Sequence, residues 1–184
     1  YFGEHEEAER CLVRVRKYLS GLTDNVLKRQ WHVFRALNAL KRYEGGAGFA
    51  SEDELLAEIT PLIRKVETWA GLGPLLKPYL AFLHAELARV TRGFKEARGL
   101  FLDAIEAART QDYTFLEGYL HENLAELLLH AGQRSAGIYF AEAARLYRKC
   151  RAERKEIDLV ERRPEYFQEG KKSRSWLNTE PDAY

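Results

Sequence analysis

The sequence predicts an all-α fold, built as an α-solenoid of antiparallel helix pairs, and three observations carry that expectation. Residues 93–108 (GFKEARGLFLDAIEAA) and 132–147 (GQRSAGIYFAEAARLY) repeat one comb. From Ala97 the first places Phe101, Ala104 and Ala108 at +4, +7 and +11; from Ala136 the second places Phe140, Ala143 and Tyr147 at the same offsets. Each has a glycine four residues upstream, Gly93 or Gly132. The same spacing appears in Ala8, Leu12, Val15, Leu19 and in Leu55, Ile59, Leu62, Val66, so the anchors recur roughly every 40 residues, the period of units that bury an apolar face only against their neighbours. Finally, no segment alternates apolar and polar residues with a period of two, so no strand is expected.

Residues 5–20 read as one helix, acidic in its first turn and carrying Arg16 and Lys17 near its end, as the helix dipole favours. Thr23 or Asp24 is a fitting N-cap for a second helix over residues 25–43. Gly45, Gly46 and Gly48 then break the pattern. Ser51 with Glu54 three residues on forms a capping-box signature for a helix over residues 52–70. Pro61 falls inside that helix and predicts a bend near residue 60. GLGPLLKP at 71–78 is a turn, and Pro78 suits the first turn of the next helix. Further helices are expected over 77–91, 94–110, 114–130 and 133–154, with tight connections at Gly93 and Gly132 that set consecutive helices antiparallel. From about residue 160 the periodicity dissolves. Residues 1–155 therefore read as a helical repeat domain, and residues 156–184 as a tail, a linker or a capping segment in which Tyr166, Phe167 and Trp176 dock back on the last helix.

The chain has 184 residues, enough for one domain with a sizeable core. Its 29 basic and 28 acidic residues nearly cancel, which gives no electrostatic reason to expect nucleic acid or a membrane as partner. No apolar run approaches the ~18 residues of a membrane span. The two cysteines, Cys11 and Cys150, have no partner at metal-ligand spacing and read as reduced thiols of a cytoplasmic protein. The chain contains no methionine and opens on what reads as the second helix of a repeat, so a piece of a longer protein is expected.

The Gly-to-Ala step of GEHEEAERCLVRV, together with the Ala, aromatic and Ala positions at +4 and +7, resembles the tetratricopeptide repeat over about 150 residues. The runs AELARV (85–90), FLEGYLHENLAELLLHAG (115–132) and IYFAEAARLYRKCRAERK (138–155) are similar to the helical repeats of large signalling proteins, where such repeats lie between an NTP-binding switch and a kinase or transcription-output module. Tyr147 and Ala152 match that pattern, whereas Cys150 and Arg151 depart from it. The resemblance implies about three and a half helix pairs in a right-handed superhelix and a scaffold or sensor role without chemistry of its own. The runner-up is a stand-alone co-chaperone or assembly adaptor; a helical enzyme is the third reading.

Catalytic constellations fail on inspection. His121-Glu122 begins a zinc motif, but its second histidine would fall at Ala125. GGAG at 45–48 lacks the Lys-Ser/Thr of a phosphate loop, and no serine has a local His and Asp arrangement. No metal and no cofactor is expected. Carried over from the resemblance, the first helix of each pair lines a concave face. It presents Trp31, Phe34, Asn38 and Lys41, then Tyr79, Phe82, Glu86 and Arg89, then Gly118, His121, Ala125 and Leu128. Two readings of these positions stay open. Trp31, Phe34 and Phe82 either pack between helices or floor a groove for a protein or peptide partner, with Lys41, Glu86, Arg89 and His121 orienting it.

Overall fold

The computed structural model describes residues 4–21 and 26–167, and these fold into helices with no strand among them. The elements are α1 (His5–Arg16), α2 (Val26–Glu44), α3 (Glu52–Gly71), α4 (Lys77–Thr91), α5 (Phe94–Thr110), α6 (Thr114–His130), α7 (Ala136–Lys149) and α8 (Glu153–Arg162). Short 3-10 turns follow at Leu19–Gly21, Pro74–Leu76 and Pro164–Tyr166. The chain divides into two compact units, Tyr1–Tyr113 and Thr114–Tyr184. No described helix is long and apolar enough to cross a membrane.

In the first unit α2 packs on α1, α3 and α4, and α5 packs along α4. Val33, Ala36 and Leu40 of α2 meet Leu55, Ile59, Ile63 and Val66 of α3, with Leu83 of α4 closing the cluster. In the second unit α7 packs along α6 and α8 packs on α7. The two late combs are wholly inside: Ala97, Phe101, Ala104, Ala108, Ala136, Phe140, Ala143 and Tyr147 are all 0% exposed. Small residues at +7 let the helix axes approach closely, while the aromatic at +4 fills the space beside them. The first comb differs. Leu19 is buried, but Val15 is 45% exposed and α1 contains no buried residue, because among the described residues α1 packs chiefly on α2.

Local sequence explains the boundaries. Ser51 Oγ accepts from the Glu54 N–H at 3.2 Å, and the Glu54 carboxylate reaches back to the Ala50 N–H at 2.7 Å, so the capping box closes one residue early. α3 runs unbroken through Pro61, whose exposed position puts the lost backbone hydrogen bond at the helix surface. Four helices end in one geometry, a Schellman motif with a left-handed residue at Gly46, Asp112, Gly132 or Arg151 (φ 73°, 55°, 68° and 59°). At the last of these Ala152 N–H bonds the Tyr147 carbonyl at 2.8 Å and Arg151 N–H bonds the Arg148 carbonyl at 3.1 Å. This turn divides the helix expected over 133–154 into α7 and α8, and helical structure continues to Arg162. Helix 5–20 likewise stops at Arg16. The proposed caps Thr23 and Asp24, and Trp176, lie outside the described residues.

Candidate functional site

The residues expected on a concave face do not behave alike. On the first unit, Lys41, Glu86 and Arg89 form one ionic cluster. Glu86 of α4 is 0% exposed. Its Oε2 accepts from Lys41 Nζ of α2 at 3.1 Å and from Arg89 Nη2 at 2.7 Å. Arg89 reaches on to Glu44 at 2.8 Å. Burial works against the Arg89 charge, but the Glu86 and Glu44 carboxylates outweigh it and raise its pKa above the ordinary arginine value. Asn38, also buried, donates to Glu9 of α1 at 3.1 Å. The same Glu9 pairs with Arg35 and Arg42, and Arg42 bonds Glu6 at 3.1 Å. His5 sits over this cluster, its pKa lowered by burial and by Lys41 against the opposing hydrogen bond with Asn38. Lys41, Glu86 and Arg89 thus brace α2 against α4, and Asn38 with Glu9 braces α2 against α1.

The aromatic residues separate. Phe82, 1% exposed, meets Phe101 at a centroid distance of 6.4 Å inside the α4–α5 pair. Phe82 and Glu86, expected on an open face, are enclosed by the first unit and are not offered to a partner. Tyr79, half-buried, tilts against Tyr113 at 5.8 Å. Phe34 is half-buried on α2. Trp31 donates its indole N–H to the Leu12 carbonyl at 2.9 Å, which ties α2 to α1.

His121 and Leu128 belong to the second unit, on α6, and are 6% and 2% exposed; they too are closed off rather than displayed. His121 stacks at 5.7 Å from Tyr139 and lies 4.0 Å from Glu117, one turn away. The strongest polar feature of this unit is one the sequence did not announce. Glu122, 5% exposed, accepts from the Tyr147 hydroxyl at 2.5 Å, from Lys155 Nζ at 3.0 Å and from Arg162 at 2.5 Å. Burial, then the neighbouring Glu122 charge, raises the Tyr147 pKa well above the phenolic range. Asp158 completes the set at 3.0 Å from both Lys155 and Arg162, and Arg163 bonds Glu126 at 2.6 Å. These ion pairs fasten α8 to α6. Tyr166 also docks, its ring 5.0 Å from Phe140.

A third place is a groove of about 530 Å³ over α2, between α1 and α3. Among the described residues Leu19, Trp31, Pro61 and Leu62 supply its apolar surface, and Arg16, Lys28, Arg35 and Glu58 its charged lining. Arg35 is held at both ends, by Glu9 and by Glu58 at 2.8 Å. His32 bonds the Lys28 carbonyl through Nδ1 at 2.8 Å and meets Trp69 edge-on at 5.0 Å. Among the described residues no group of three His, Cys, Asp or Glu side chains is placed to hold a metal ion.

Comparison of the chain with protein-family models, with curated proteins and with solved structures finds no match.

Proposed function

We propose that this chain is a tetratricopeptide-type repeat segment whose work is to bind another protein, as a scaffold or sensor region of a larger cytoplasmic signalling protein. The observation that carries the reading is the equivalence of the two late combs. Two helix pairs 39 residues apart (Ala136 minus Ala97) bury the same four offsets completely, which is how a unit repeated along a solenoid makes its core from neighbours. In this reading the pairs belong to a right-handed superhelix whose concave face carries recognition rather than chemistry. The cytoplasmic setting rests on Cys11 and Cys150, both free thiols. A stand-alone co-chaperone or assembly adaptor is the second reading. An NTP-binding switch or a kinase on the same polypeptide would separate the two.

The test is affinity capture with the purified chain, followed by cross-linking mass spectrometry to locate the contact. The expected result is one reproducible partner cross-linked to the helix pairs. Substrate turnover that co-purifies with the chain, or stoichiometric zinc, overturns the proposal.

A further inference from the structure

We propose that α1 is the exchangeable occupant of a helix seat on α2, and that a partner helix carrying two carboxylates three residues apart takes its place. This rests on the reading of the chain as an interaction segment. It names the site, the partner's chemistry and the contact that keeps the site closed.

The seat is one stripe of α2. Trp31, Arg35, Asn38 and Arg42 follow one another at helical spacing on a single face, and each of them reaches α1. Trp31 donates its indole N–H to the Leu12 carbonyl at 2.9 Å. Glu9 accepts from Asn38 at 3.1 Å, pairs with Arg35, and lies 3.4 Å from Arg42. Arg42 Nε donates to Glu6 at 3.1 Å. The stripe therefore reads two carboxylates and one backbone carbonyl, spaced three residues apart along the facing helix. A second helix with acids at that spacing presents the same set, so the contact does not depend on a side chain peculiar to α1.

Two further observations make the occupant exchangeable. First, α1 has no buried residue, and the apolar cluster that joins α2, α3 and α4 contains no side chain of α1. The core beneath stays closed when α1 leaves. Second, the seat is held in shape from its other side. Glu58 of α3 accepts from Arg35 Nε at 3.0 Å and from Arg35 Nη2 at 2.8 Å. The Arg42 head lies against Gly48, in the connection between α2 and α3, so closely that a Cβ there would stand 2.6 Å from Nη2. Both guanidinium groups are thus positioned without α1, as preorganised recognition requires. The sign of the partner follows. Arg35 and Arg42 are each only 17% exposed at the side chain, and a helix without acids at these positions would leave them covered with no carboxylate from the facing helix.

The experiment opens the seat in the whole chain and offers it a helix in trans. Glu6→Lys plus Glu9→Lys sets like charges against Arg35 and Arg42. Amide hydrogen exchange is expected to speed up over α1 while α3 and α4 keep their protection. The probe is a labelled peptide of residues 4–17 with Cys11→Ser, read by fluorescence anisotropy. Against the unaltered chain it competes with a tethered α1; against the opened chain it does not, and its Kd is expected to tighten about tenfold or more. A peptide with Glu6→Gln plus Glu9→Gln, and a scrambled peptide of the original composition, are expected to bind about tenfold more weakly than the probe. In the opened chain Arg42→Ala weakens the probe by about tenfold, and Arg42→Lys recovers part of the loss. Unchanged exchange over α1, loss of protection in α1 and α3 together, no gain of affinity on opening, equal binding of the scrambled peptide, or a Kd untouched by Arg42→Ala each overturns the proposal. If the seat takes no peptide while the unaltered chain still captures its partner, the interaction role stands and the seat falls; if capture fails as well, both fall.

Discussion

A close contact between α6 and α7 at Gly118 predicts a change of sign between two otherwise similar substitutions. A Cβ built at Gly118 lies 3.1 Å from Tyr147 Cε1 and 3.2 Å from Leu146 Cβ. Neither neighbour retreats cheaply. Tyr147 is 0% exposed and its hydroxyl is fixed by Glu122 at 2.5 Å, while Leu146 Cβ moves only with its backbone. Two terms compete in Gly118→Ala. Replacing glycine inside a helix gains about 0.5–1 kcal/mol, and forcing a methyl into a filled interface costs about 1–3 kcal/mol. The steric term wins, for a net loss of roughly 0–2.5 kcal/mol. Gly99 on α5 is the control, exposed and with nothing within 4 Å of its would-be Cβ. Gly99→Ala keeps only the gain of about 0.5–1 kcal/mol. Urea unfolding followed by circular dichroism measures both. Stabilisation of equal size in the two variants would refute the close seating of α7 on α6.

Ala104→Leu overpacks a 0%-exposed position between α4 and α5 and is expected to cost about 1–3 kcal/mol; an unchanged melting temperature contradicts the packing register. Arg151→Gly relieves a left-handed backbone angle of 59° and is expected to stabilise by up to about 1 kcal/mol, whereas Arg151→Val lowers the midpoint of denaturant unfolding. Burial works to raise the Asp158 pKa, but hydrogen bonds from Arg162 and Lys155 hold it below its ordinary value of 3.8. The unfolded chain then binds more protons, so this stabilisation is complete above pH 3.8 and is lost as pH falls through the lower folded value. Asp158→Asn should accordingly reduce stability at neutral pH and flatten the acid limb of a pH–stability curve; an acid limb of unchanged slope would refute it.

Legibility from sequence followed the range of the forces involved. The helices over 77–91, 94–110 and 114–130 were readable because their punctuation is local: Pro78 opens the first, Gly93 parts it from the second, and Gly132 closes the third. The break at Arg151 was not, because the left-handed position there is held by arginine, the residue type that sequence rules place inside a last helical turn rather than beyond it. The late combs identified buried residues because a helical stripe is periodic. The ionic partners were unreadable for the opposite reason. Lys41 meets Glu86, Glu44 meets Arg89 and Glu122 meets Arg162, all across separations that no i,i+4 rule inspects. A carry-over by register therefore assigned to an open face residues of α2 and α4 whose charges meet each other. This also changes what Arg89→Ala would report. It leaves the buried Glu86 with one cation fewer and costs about 3–5 kcal/mol, so lost binding in that variant would not locate a surface.

The fastening of α8 sets an order of release. Lys155 and Leu159 are its only buried side chains, and much of what secures it is charge: Lys155 and Arg162 on Glu122, Arg163 on Glu126. The α6–α7 pair beneath it is secured by Phe140, Leu146 and other buried carbon, which salt barely weakens. Pulling on the chain that follows Arg163 should therefore peel α8 away as a separate first step, with the Arg151 turn as the hinge. A release of this kind would register tension at α8 while the helix pair beside it keeps its shape.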